Sequence, residues 1–179
     1  MADPVIRFVR LALLLVLLVV LQTSLMPHLR IFGVVPDLGL VAAVALAVRF
    51  GPELGATFGF AAGLATDLFL QTPLGLSAFA FGFTAFLVGI LQGRLTRPAW
   101  WFRPAIAFAA GVVAGVIFVG LGALVGQSEL WALRSIRTIL LAAAYDGVVA
   151  VVIFPLAVAV AHPDPRGAAP LGASGYGPA

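Results

Sequence analysis

Residues 5–26 read VIRFVRLALLLVLLVVLQTSLM, and this stretch decides the fold. Arg7 and Arg10 are followed by eleven apolar residues, 11–21, with no polar side chain among them. At about 1.5 Å of rise per residue the whole stretch covers roughly 30 Å, the thickness of a bilayer's hydrocarbon core. The pattern has the charged and apolar regions of a signal peptide. Gln22, Thr23, Ser24, Leu25, Met26 and Pro27 follow in place of a cleavage site of small residues, and more apolar runs come after them. It therefore reads as an uncleaved first membrane span.

The whole chain has the same character. Of 179 residues 63% are hydrophobic and 9% charged, with mean hydropathy +1.16. A soluble domain of this size has too much surface for its volume to hide that much apolar material, so the solvent is lipid. The ten basic residues are all Arg and stand between apolar runs. There they orient helices and meet anionic headgroups, so the high pI of about 10.6 points to topology rather than to nucleic acid. Cys is absent and the two His, His28 and His162, lie at opposite ends of the chain. That excludes disulfides, thiol nucleophiles and a Cys/His metal cluster, and no cofactor is expected.

Five further spans are expected near 31–50, 52–70, 74–92, 104–126 and 136–161, giving an all-α bundle of about six transmembrane helices. Pro36-Asp37 interrupts the second, so its regular part is short. Pro52 and Pro104 suit the first turn of a helix, where a missing N–H has no partner to lose. With the N-terminus inside, Arg7, Arg10, Arg49, Arg94, Arg97, Arg103 and Arg166 are cytoplasmic, and Arg30, Arg134 and Arg137 are outside. Seven against three places both termini in the cytoplasm. A re-entrant hairpin made of spans two and three fits the same parity and remains open. Trp100, Trp101 and Phe102 among Arg94, Arg97 and Arg103 form an interfacial aromatic belt. Residues 127–137 suit the outer interface. The Pro/Gly/Ala-rich tail 162–179 reads as a disordered cytoplasmic segment.

Gly55, Gly59 and Gly63 recur every four residues in span three, with Asp67 one step further, so all four share one stripe. In lipid such a stripe admits another helix at backbone distance. The stripe packs inside the bundle or forms a partner interface. Of the acids in the spans, Glu53 and Asp37 stand at helix starts, where the helix dipole favours negative charge. Asp67 and Asp146 lie inside spans, where a carboxylate marks a pathway or needs a partner, either an ion pair or hydrogen bonds to its protonated form. Asp146, beside Tyr145, is about 15 Å along its helix from Ile136. Asp67 is expected near the outer side, where Arg134 or Arg137 can pair with it, pinning span three against span six. Nucleophile elbow, phosphate loop and HExxH motif are all missing, so no catalytic residue is assigned and the chain is not read as an enzyme.

The ordered set Pro36-Asp37-Leu38, Arg49-Phe50-Gly51-Pro52, Gly59-Phe60, Gly63, Asp67-Leu68 and Pro73-Leu74-Gly75, with Tyr145-Asp146 and Phe154-Pro155-Leu156 near the end, resembles the MreD family of rod shape-determining membrane proteins. The resemblance covers all but the tail. Asp146 departs from it, since the family more often has Asn there. It implies a non-enzymatic scaffold of the cell-wall elongation machinery in the bacterial cytoplasmic membrane. The implied partners are MreC, a single-span protein, and through it MreB filaments, RodA and its partner transpeptidase, besides membrane lipids; nucleic acid is not among them. The family is similar in fold to the substrate-binding membrane subunits of energy-coupling-factor transporters. The alternative is therefore a vitamin-binding or other small-molecule transport subunit, against which stand the bulky residues from Leu13 to Leu21.

Overall fold

The computed structural model describes residues 4–30, 33–69, 74–92, 101–125 and 133–161. It contains six α-helices: α1 Pro4–Ser24, α2 Leu38–Phe50, α3 Pro52–Phe69, α4 Leu76–Gln92, α5 Phe102–Leu124 and α6 Leu133–Ala161. A short 3-10 turn, Met26–Leu29, follows α1. The expected belt at Trp100, the segment 127–132 and the tail 162–179 lie outside the described residues.

Five helices form a ring around the sixth. In the order α1, α3, α4, α5, α6 each touches the next, α6 touches α1, and α2 touches all five. Residues Leu38 and Leu40 to Ala47 of α2 are all buried at 2% exposure or less. Its composition suits the place: Gly39, Ala43 and Ala47 let helices close in, while Leu and Val fill the remaining directions. With 13 residues, about 20 Å, α2 is too short to cross a roughly 30 Å bilayer core as a helix. Within the expected span over 31–50, residues 33–37 are thus a non-helical entry to a short central helix. Unwound backbone is tolerated at membrane depth where protein surrounds it, and the ring supplies that cover.

Helices α1, α5 and α6 are each long and apolar enough to cross a membrane, over Val5–Ser24, Phe102–Leu124 and Ile136–Ala161. Gly51, at φ 102°, turns the chain out of α2, and Pro52 opens α3 where its missing N–H costs nothing. Helix α3 then packs antiparallel to both α2 and α4 at backbone distance. A Cβ placed on Gly59 would lie 2.9 Å from the Phe81 carbonyl oxygen and 3.1 Å from Cβ of Ala43. One on Gly89 would lie 2.5 Å from Cα of Pro52. Helices α5 and α6 are matched in the same way, through Gly111 against Ala143 and Gly115 against Ile139. Helix α1 is the loosest element; Leu14 and Leu18 face the core while Leu13, Val16 and Val20 are exposed.

Candidate functional site

Gly55, Gly59 and Gly63 are all buried. They face Ala47, then Ala43 together with the Phe81 carbonyl, then the backbone of Ser77 and Ala78. The stripe therefore packs between α2 and α4, inside the bundle. In α2, Ala47 meets Gly55, Ala43 meets Gly59 and Gly39 meets Ala62; the four-residue period of Gly39, Ala43 and Ala47 is the sequence signal that would have found them.

Asp67 is 1% exposed and its carboxylate faces the start of α4. Oδ2 accepts the N–H of Gly75 at 2.8 Å, both oxygens accept that of Ser77 at 3.1 and 3.2 Å, and Oδ2 also accepts that of Ala78 at 3.4 Å. These are amides that a helix start leaves without intrahelical partners. Gly75 reaches this position at φ 101°, a conformation in which other residues are strained. Of the pairing expected across span six, the contact with Arg137 is not found among the described residues. Among the described residues α3 and α6 share no contact, because α2 lies between them. Arg137 is exposed, and the Arg134 side chain lies outside the described ones.

Asp146, also 1% exposed, does the same for α2 from across the bundle. Its Oδ1 accepts the Asp37 backbone N–H at 2.7 Å, at the residue preceding the first turn of α2. The Asp37 side chain makes no capping hydrogen bond of its own; its carbonyl accepts from Val41 at 3.0 Å. The other carboxylate oxygen lies against Gly111, where a Cβ would sit 2.7 Å from it, so α5 must carry glycine for the carboxylate to fit. Gln22, the first polar residue after the apolar run of α1, brackets the same point. Its Nε2 donates to the Pro36 carbonyl at 2.8 Å and its Oε1 accepts the Leu38 N–H at 3.1 Å. Next to Asp146, Tyr145 donates its hydroxyl to the Leu29 carbonyl at 3.1 Å. The unwound entry to α2 is thereby held by α1 on one side and by α6 on the other. Gln22 and Gly111 were not foreseen from the sequence, since their partners are distant along the chain.

Glu53 is exposed in the first turn of α3, where its charge favours the helix dipole. At the opposite end of the bundle from the Gln22 bracket, the Arg7 guanidinium lies 5.2 Å from the centre of the Phe50 ring. This cation–π contact joins the start of α1 to the end of α2. Among the described residues, no group of three or more His, Asp or Glu side chains converges as a metal site would require.

The model of the family described as rod shape-determining protein MreD matches residues 3–160. The chain belongs to the MreD family. Comparison with curated proteins and with solved structures gave no significant match. Its role is thus that of a rod shape-determining membrane protein, and the motifs that carry the resemblance acquire structural meaning. In this MreD-family chain, Pro36-Asp37-Leu38 is the clamped entry to the central helix, and Gly51-Pro52 is the turn out of it. Asp67 with Gly75 is the capped α3–α4 connection, and Tyr145-Asp146 is the clamp itself.

Proposed function

We propose that the chain is a non-enzymatic scaffold of the bacterial cell-wall elongation machinery. In this reading it lies in the cytoplasmic membrane with both termini cytoplasmic. Residues 1–161 form its transmembrane domain and 162–179 a cytoplasmic tail. It binds a single-span MreC-like protein and, through it, links MreB filaments to RodA and its partner transpeptidase. The observation that carries this reading is the use made of the two buried carboxylates. Each is engaged by backbone amides of the chain itself, as a cap on a neighbouring helix, so each explains the fold rather than a reaction.

The same observation weighs against transport of a small molecule. In transporters with broken helices, the exposed start of a half-helix points at an anionic group of the substrate. Here the start of α2 points at Asp146. The test is purification of the tagged chain from its native membrane in mild detergent. A stoichiometric single-span partner with a large extracytoplasmic domain is the expected companion. Recovery of the chain without one, together with tight binding of a vitamin to the purified protein, would replace the scaffold reading by the transport one.

A further inference from the structure

The side of α1 that faces the bundle does not end where its apolar residues end. Leu14 and Leu18 are buried, and Gln22, one turn further on, holds the entry to α2. Continued toward the start of the helix, the same stripe passes Arg10, which is half-buried, and reaches Arg7. Both arginines are thus carried toward the end of the bundle where α2 stops and α3 begins. The Arg7 guanidinium lies 5.2 Å from the centre of the Phe50 ring. Arg49, the residue before Phe50, is exposed in the last turn of α2. Three cations therefore gather round one helix end.

Negative charge is short there. The C-terminal end of α2 carries the equivalent of about half a negative charge. Among the described residues Glu53, exposed in the first turn of α3, is the only carboxylate at this end of the bundle. More than one positive charge is left over. The outward side of the same turns of α1 is apolar, with Phe8 73% exposed, Val9 48% and Leu13 64%. A soluble anion or an acidic protein segment would answer the arginines and leave those side chains bare. A phospholipid answers both, because it carries its phosphate directly above its acyl chains, at the depth where basic residues meet headgroups. Arginine suits the phosphate, which it grips through paired N–H donors. A choline or ethanolamine headgroup would bring its own cation beside Arg49, so the headgroup that fits is one of net negative charge.

We propose that Arg7, Arg10 and Arg49 form a site selective for an anionic phospholipid, with the phosphate between the start of α1 and the end of α2 and the acyl chains along the outer face of α1. The bound lipid offsets the repulsion among the three arginines and so fastens α1, the loosest helix, to the bundle.

The test begins with the unaltered full chain in mild detergent, equilibrated with equal amounts of dioleoyl phosphatidylglycerol and dioleoyl phosphatidylcholine and examined by native mass spectrometry. Phosphatidylglycerol adducts should exceed phosphatidylcholine adducts at least about fivefold. Arg7→Gln and Arg49→Gln should each lower that ratio severalfold. Arg103→Gln should leave it unchanged, since Arg103 is exposed at the same end but on α5, which does not touch α1. Equal adducts of the two lipids overturn the proposal, and so does an equal loss in Arg103→Gln, which would mean diffuse surface charge. The second measurement needs no variant: phosphatidylglycerol should raise the unfolding midpoint of the chain in micelles, and added salt should weaken that effect. Equal stabilisation by glycerol phosphate would assign the arginines to a soluble anion and overturn the lipid. An acidic protein that co-purifies on this end and that phosphatidylglycerol does not displace would overturn it as well.

Discussion

Replacing Asp67 with Ala removes the acceptor for three amides at the start of α4 in one step. The bonds to Gly75 at 2.8 Å and Ser77 at 3.1 Å are well formed, and the one to Ala78 at 3.4 Å is long and contributes less. Loss of a helix N-cap costs about 0.5–2 kcal/mol, and each buried donor left unpaired about 1–3 kcal/mol. Rearrangement of the connection after α3 recovers part of this, so the expected loss is roughly 2–4 kcal/mol. Asp67→Asn keeps one acceptor oxygen but turns an NH₂ group toward the amides; its loss should be about half as large. The assay is reversible unfolding in mixed detergent micelles, followed by tryptophan emission and repeated for Arg137→Ala and for the double variant. Arg137→Ala should change stability by less than about 0.5 kcal/mol, and the two changes should add. An Asp67→Ala loss below about 0.5 kcal/mol, or coupling with Arg137 above about 1 kcal/mol, would refute the capping account and restore the ion pair.

Asp146→Asn retains an oxygen for the Asp37 amide and should stay within about 1 kcal/mol of the parent, whereas Asp146→Leu should lose about 2–4 kcal/mol in the same unfolding assay. Gly63→Ala puts a methyl group against the backbone of α4 and should destabilise by about 1–3 kcal/mol; Gly120→Ala meets nothing within 4 Å and should be neutral or stabilising. Gln22→Leu removes both bonds of the α1 bracket, and proteolysis of residues 30–37 should accelerate several-fold as the entry to α2 opens. For topology, Cys at Thr72 and at Ser128 should react with an impermeant thiol reagent outside intact cells and Cys at Thr96 should not; labelling at Thr96 alone would invert the orientation.

The sequence announced most of the helices, because uninterrupted apolar runs and prolines at helix starts act locally. Pro52 opened α3 as expected, and Pro36-Asp37 marked the break before α2. The central position of α2 was not legible. A run of Leu, Val and Ala satisfies a lipid-facing helix and a buried one equally well, and only the Gly39, Ala43, Ala47 period hinted at contact on that side. Asp67 and Asp146 stood out as acids inside apolar runs, yet their partners did not. A backbone amide carries no residue-specific signal, and the Asp37 amide is 109 positions away from Asp146. Whether Arg137 reaches Asp67 was not legible for a related reason: the expected topology puts two residues on the same side of the membrane without telling which helix stands between them.

Assignment to shape determination is tested by cell shape in the native host when this chain is depleted and then restored. Cells should lose their rod form, widening and rounding within a few generations, and should recover it with the parent chain or with Asp146→Asn at equal expression. Rods that persist unchanged after the chain has disappeared from the membrane would contradict its assignment to shape determination.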